Sequence, residues 1–176
     1  MKVYHIDTNS LPQYAKKLVT GDKVYLSGIV YTSRDAAHQR IFEAIEKGEK
    51  TPYEIKNSVV YYAGPTPTPE NLAIGSCGPT TSGRMDSYSP ALLDMGQICM
   101  IGKGERNKEV VDAIVRNKAV YLCAVGGAGA LAAKCIDYCE VIAYEDLGCE
   151  SVKKLHFKDF PLTVAIDSFG NNIFEH

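Results

Sequence analysis

Apolar and polar positions follow two different periods along the chain. Residues 23–31 are rich in Val, Tyr and Ile with Gly28 inside, and read as a strand. After the capping-type residues Thr32-Ser33-Arg34-Asp35, Ala37, Ile41, Ala44 and Ile45 recur at helical spacing, which predicts a helix to about Lys47. Val110, Val111, Ile114 and Val115 mark one face of a second helix over 107–117. Around these, the pattern predicts a short N-terminal strand, a helix over 11–19 and a turn at Gly21-Asp22. Strands follow over 58–63, 98–101 and 119–125, and short helices over 89–95 and up to about Lys134. Three further strands are expected over 139–144, 152–157 and 162–167. Strands interleaved with helices imply an α/β fold, with strand order left open.

The length of 176 residues suits a single domain, 1–176, since no repeat or long linker divides it. Gly64-Pro65-Thr66-Pro67-Thr68-Pro69 reads as a rigid surface loop. Hydrophobic residues at 45% exclude a disordered chain. A net charge of −2 gives no bulk electrostatic case for nucleic acid or an anionic membrane. The N-terminus lacks the apolar core of a signal peptide, and 119–133 is too short and glycine-rich to span a bilayer. Cytoplasmic location with reduced thiols is therefore expected for Cys77, Cys99, Cys123, Cys135, Cys139 and Cys149. No pair has C-x-x-C spacing, and nothing near Cys135 and Cys139, which can share a helix face, completes a metal quartet. The expectation is no metal on this chain, with several cysteines as small core residues.

The chemistry concentrates in three loops at strand-to-helix junctions. Arg34 lies in Ser33-Arg34-Asp35-Ala36-Ala37-His38. Arg84 lies in Gly78-Pro79-Thr80-Thr81-Ser82-Gly83-Arg84-Met85-Asp86. Lys103 lies in Gly102-Lys103-Gly104. Helix N-termini favour anions, and ligands of open α/β sheets gather beyond the carboxyl ends of strands. Three cations delivered to such ends predict a site for an anion with more than one charged group, with arginine forks suited to carboxylate or phosphate. The plain alternative is that Arg34 and Arg84 are surface residues paired with their neighbours Asp35 and Asp86.

Two phosphate patterns are weak. Gly102-Lys103-Gly104 lacks the remaining residues of a P-loop. Gly127-x-Gly129-x-x-Ala132 follows a strand as a dinucleotide fingerprint would, but the next strand comes too soon for a full crossover helix, so close packing of a short helix is the preferred role. His38, four residues after Arg34, is a candidate general acid/base, or else a solvated helix histidine. Thr80 and Thr81 are weak bases unless strongly activated. By itself the chain offers substrate binding more clearly than a complete catalytic engine.

These motifs, in this order, resemble the iron–sulfur hydro-lyases of the class I fumarase and L-tartrate dehydratase family. Gly126-Gly127-Ala128 and Asp167-x-x-Gly170-Asn171-Asn172 also fit, and the resemblance covers nearly the whole chain. The chain resembles the separate β subunit, equivalent to the C-terminal domain of single-chain members. The resemblance implies a swivelling β/β/α fold and reversible hydration of a four-carbon dicarboxylate, fumarate/malate first and tartrate next. It implies a 4Fe–4S cluster carried by a partner α subunit, activity only in that hetero-oligomer, and a β homodimer as a further option. By motif, Arg34, Arg84 and Lys103 would bind substrate carboxylates together with Thr80, Thr81, Ser82 and Gly83. Thr80 matches a proposed base, and His38 is a second acid/base candidate. Cys77, just before the motif, is expected to pack. The rival from another class is a non-catalytic domain that binds an organic acid or a nucleotide through the same loops.

Overall fold

Every second residue of strand β2 (Lys23–Thr32) is buried, with Val24, Leu26 and Val30 directed into the core. This is the two-residue period of a pleated strand. The computed structural model describes residues 1–124 and 129–175. Its strands are β1 (Val3–Asp7), β2, β3 (Val59–Tyr61), β4 (Cys99–Gly102), β5 (Val120–Cys123), β6 (Ile136–Ala143) and β7 (Val152–Ile166). Its helices are α1 (Leu11–Tyr14), α2 (Asp35–Glu46), α3 (Ser89–Asp94), α4 (Lys108–Asn117) and α5 (Gly129–Ala133), with a 3₁₀ turn at Ser82–Met85 and a 3₁₀ stretch at Glu145–Glu150 that is kinked at Gly148. Among the described residues no helix is long and apolar enough to cross a membrane.

The sheet runs β1-β2-β3-β4-β5-β7-β6, and β7 also pairs with β2. Strands β1 to β5 are mutually parallel, whereas β7 is antiparallel to β2, β5 and β6. The pairings β2-β3-β4-β5-β7-β2 therefore form a closed cycle. The side turned into the cycle carries Val24, Leu26, Val59, Tyr61, Cys99, Ile101, Val120, Leu122, Phe157 and Val164. Tyr61, Phe157 and Phe160 interlock there, the two phenyl rings stacked at 4.2 Å and each meeting Tyr61 edge-on. The outer side, through Val60, Met100 and Tyr121, packs under Ala37 and Ile41 of α2, Leu92 and Leu93 of α3, and Val110 and Ile114 of α4. The helical period read from α2 and α4 is thus the period of their buried faces.

Four differences from the expected elements have local causes. The helix over 11–19 is reduced to the single turn of α1, followed by a turn in which Lys17 N and Leu18 N both donate to Tyr14 O, while Val19 N goes to Asp22 Oδ2 at 3.0 Å. The strands expected over 152–157 and 162–167 are one strand, β7. Pro161 falls between its stretch paired with β6 and its stretch paired with β5, and the irregularity at Asp159 is absorbed by a register shift at Ser27 of β2. Cys135 and Cys139 do not share a helix face, since Cys139 lies in β6 and Cys135 just before it. The strand expected over 119–125 ends at Cys123, and Val125 lies outside the described residues.

Candidate functional site

The carboxyl ends of β2, β3 and β4 lie side by side, and the three cation-bearing loops leave from or return to them. Ser33 N donates to Tyr61 O at 3.1 Å, tying the exit of β2 to the end of β3. Residues 79–82 then run along the next two strand ends. Pro79 bridges Ala63, Thr80 N donates to Tyr62 O at 2.8 Å, and Ser82 N donates to Lys103 O at 2.9 Å. Lys103 N returns a bond to Ser82 Oγ at 3.0 Å. Gly102 makes this approach possible, because a Cβ there would overlap Ser82 Oγ.

Arg34 has an extended backbone at the N-cap of α2, and its carbonyl accepts from His38 N at 2.8 Å. Its side chain, half-buried, crosses Gly64, where a Cβ would stand 3.2 Å from both Cδ and Nη1. Its Nε is 3.9 Å from Glu150 Oε1 and has no hydrogen-bond partner among the described residues. Arg84 is exposed in the Ser82–Met85 turn, with Nε 3.8 Å from Asp35 Oδ2. The neighbour pairs of the plain alternative are therefore not the ones formed. Arg34 faces Glu150, Arg84 faces Asp35, and Asp86 is taken by Arg106, because each loop folds against a distant element rather than along itself. Asp35 thereby brings the Arg34 and Arg84 loops together. Both arginine pairs are longer than a hydrogen bond, so neither guanidinium has its donors used up.

The other predicted residues are placed as follows. Thr80 is partly exposed, while Thr81 and Gly83 are open to solvent on the same loop and Ser82 is buried beneath them. Thr81 forms a bridge with Lys103, which is partly exposed beyond β4. His38 is neither beside Arg34 on the surface nor solvated: it is 0% exposed, between the rings of Tyr62 and Tyr88. Its Nδ1 lies 2.9 Å from Arg34 O and 2.8 Å from Ser33 Oγ. A carbonyl only accepts, so Nδ1 carries the proton, and the buried Nε2 has no partner among the described residues. Burial holds the imidazole neutral, lowering its pKa from 6.5 to about 4. His38 touches the site through the Arg34 carbonyl and Ser33, not directly.

Three supports had no signal in the sequence. Glu150, in the turn before β7, faces Arg34 and accepts weakly from Ala36 N. Lys153, buried in β7, holds that turn with Nζ 2.7 Å from Ser151 Oγ and 3.2 Å from Cys149 O. Desolvation lowers its pKa. Arg106 is buried against Asp86 at 2.6 Å. Glu150 and Arg106 meet partners 20 or more residues away, which leaves no periodicity to read, and Lys153 folds back on Cys149 and Ser151 through a turn that no local motif marks.

Gly126-Gly127-Ala128 lies outside the described residues, and with it the first half of the dinucleotide pattern. Gly129 begins α5, and its carbonyl accepts from Cys77 N at 3.0 Å, a packing contact with the start of the Gly78-Pro79 loop. The strand that follows α5 is β6, antiparallel to its partner β7, so no parallel crossover unit is formed there. Cys77 is buried in the core, its thiol pushed up to about 12 by desolvation, with its carbonyl accepting from Tyr61 OH.

The model of the fumarase C-terminus matches residues 1–176. The chain belongs to the fumarase C-terminus family. As a member it is 41% identical over 155 residues to the aerobic class I fumarate hydratase of Salmonella typhimurium, covering 87% of this chain and 27% of that protein. It is 40% identical over 164 residues to fumarate hydratase 2 of Leishmania major, covering 92% of this chain and 29% of that one. A protein of Methanocaldococcus jannaschii assigned as an L(+)-tartrate dehydratase subunit beta is 39% identical over 166 residues, which cover 91% of this chain and 85% of that protein. The chain thus spans less than a third of the fumarate hydratases named here, and most of the beta subunit.

Proposed function

We propose that this chain is the β subunit of a heteromeric hydro-lyase and supplies the cationic half of its active site. The substrate is a four-carbon dicarboxylate, fumarate/malate in the first place and tartrate in the second. The observation that carries this reading is the gathering of Arg34, Arg84, Lys103 and the Thr80–Gly83 loop at the adjoining ends of β2, β3 and β4. Class I fumarate hydratases and a tartrate dehydratase beta subunit among the relatives support a hydro-lyase. We assign the chain to the swivelling β/β/α type as one functional domain, 1–176, and to the cytoplasm, where free cysteines stay reduced.

The proposed chemistry follows from the residues. Two guanidiniums with free donors and an ammonium hold a dianion by its carboxylates and fix its orientation. In dehydration, a proton leaves the carbon next to one carboxylate and hydroxide leaves the other carbon, giving the alkene and water. The cations stabilise the negative charge that develops toward the carboxylate as the proton departs. Thr80 is our choice for the base at that carbon, because it is the partly exposed hydroxyl of the loop. His38 supports Arg34 from below rather than meeting substrate. Thr81, Ser82 and Gly83 shape the loop.

The resemblance also implies a 4Fe–4S cluster that acts as a Lewis acid on the substrate hydroxyl. The described cysteines do not fit as its ligands. Cys77 and Cys99 are buried with their thiols pushed up by desolvation, and no three His, Cys, Asp or Glu side chains converge among the described residues. We therefore place the cluster on the partner α subunit, and none of the roles given to this chain's residues runs through it.

The test is to produce the chain with and without its α partner under anaerobic conditions and to follow fumarate and tartrate turnover. Activity only in the assembled enzyme is expected. Turnover by this chain alone, or an assembled enzyme that binds dicarboxylates without converting them, overturns the proposal, the second in favour of a non-catalytic binding domain.

A further inference from the structure

The Ser82–Met85 turn carries Arg84 into the site, yet the turn is only four residues long and has no regular helix to hold it. Both of its flanks are fastened to buried groups. On the Asp86 side, Arg106 Nε donates to Asp86 Oδ1 at 2.6 Å, while Asp86 Oδ2 accepts from Asn107 N at 2.8 Å. The Arg106 side chain is 0% exposed, and its other two nitrogens are engaged as well: Nη2 reaches Ser89 Oγ at 2.8 Å and Tyr62 OH at 3.3 Å, and Nη1 reaches Met100 Sδ at 3.4 Å. The guanidinium plane also lies against the rings of Tyr62 and Tyr121, at 5.2 Å and 4.9 Å.

On the Ser82 side, the Tyr121 hydroxyl is 2.8 Å from Ser82 Oγ and 2.8 Å from Gly104 O. The Tyr121 hydroxyl is the donor toward both oxygens, its proton shared between them, and Ser82 Oγ also accepts from Lys103 N. Ser82 and Lys103 are thus locked in register by Tyr121, and Tyr121 is itself packed on Arg106.

We infer that Arg106 is a positioning residue of the site: one buried guanidinium, neutralised by Asp86, sets both flanks of the Arg84 turn and, through Tyr121, the seat of Lys103. The inference rests on the proposed dicarboxylate site and deepens it. A guanidinium is required because its planar fork donates in several directions and stacks on two rings at once, which an ammonium cannot do. Its charge is spent on Asp86, so it holds the substrate-facing cations in place without competing for the anion.

The test uses the assembled enzyme. R106K keeps the charge and loses the fork; Tyr121→Phe keeps the ring and loses the hydroxyl. Each is expected to raise the KM for the dicarboxylate at least tenfold, with a smaller change in kcat. Asp167→Ala, a structural substitution at the opposite end of the sheet, is the control: its Tm falls while its KM stays at the wild-type value. If R106K and Tyr121→Phe shift Tm alone and leave KM unchanged, Arg106 is merely structural and the inference is overturned. Should R106K fail to fold, Tyr121→Phe decides by the same KM criterion. Wild-type enzyme that converts no dicarboxylate is the failure of the functional reading, and takes the inference with it; active wild type with unaltered KM in the folded variants is the failure of the inference alone.

Discussion

Two polar clusters at opposite ends of β2, one around the Asp167 carboxylate and one around Arg34, are satisfied to opposite degrees. At the end where β2 begins, Asp167 is fully buried and its carboxylate accepts five bonds. They come from Thr20 N, Thr20 Oγ1, Asn171 Nδ2, Phe169 N and Asn171 N, all between 3.0 and 3.1 Å. These bonds pin the C-terminal tail to the turn before β2 and keep the carboxyl below its ordinary range, despite the opposing effect of burial. At the other end, about 30 Å away along the ten residues of β2, Arg34 Nε, Asp35 Oδ1 and His38 Nε2 are buried without partners among the described residues. The ion pairs there stop at 3.8 Å and 3.9 Å. A saturated cluster contributes stability; an unsaturated one leaves polar groups free, which is what the proposed dicarboxylate site uses. Asp167-x-x-Gly170-Asn171-Asn172 belongs to the first kind, although in sequence it stood beside the site motifs.

The contrast can be broken by substitution. Arg84→Ala in the assembled enzyme is expected to lose about 3 kcal/mol of transition-state stabilisation, roughly two orders of magnitude in kcat/KM. Its Tm should stay near wild type, since Arg84 is exposed; wild-type kinetics would remove it from the site.

His38 sharpens the contrast through pH. Its pKa is about 4 in the folded chain and near 6.5 when unfolded. Between these values the unfolded state binds the extra proton, so stability is full above about pH 6.5 and falls as pH drops toward 4. The loss approaches about 3 kcal/mol. Urea midpoints from pH 7 to 4.5 should show this slope in wild type and a flatter one in His38→Gln. Equal slopes would mean that the imidazole is not held neutral. Asp167 acts in a lower window: its pKa is depressed, so its contribution is present above the ordinary carboxylate range and is lost only as pH falls below it.

Asp167→Ala is expected to cost about 2 kcal/mol, by loss of buried hydrogen bonds, and to lower Tm without altering KM. A changed KM would show that the two ends are coupled. The smallest effect is expected at the exposed Arg116–Asp94 pair, 2.8 Å apart but open to solvent: Arg116→Ala should give no measurable shift in Tm.

How much of this was legible in the chain depends on the range of the interaction. The faces of α2 and α4 and the alternation of β2 come from neighbours within a few residues, and the hydrophobic period shows them directly. The motifs around Arg34, Arg84 and Lys103 also stand in the sequence, because each is a short run of neighbouring residues, rich in small polar side chains. Their pairing partners do not. Asp35 stands next to Arg34 yet faces Arg84, and Asp86 stands near Arg84 yet belongs to Arg106. Local charge patterns assign such partners to neighbours, whereas a turn can point two adjacent side chains apart. His38 was legible as a residue of interest but not as a buried one, since Ser33, Tyr62 and Tyr88 close over it from separate segments.

The sequence alone therefore determined the alternation of strands and helices, the single α/β domain, the three cationic loops and the family resemblance. Each of these is written in short-range pattern or in residue identity. Only the tertiary structure decided that β7 closes the sheet against β2, that the three loops meet at adjoining strand ends, and that Arg106 and His38 lie beneath them. These depend on which distant surfaces pack together, and burial, unlike periodicity, is a property of the folded chain as a whole.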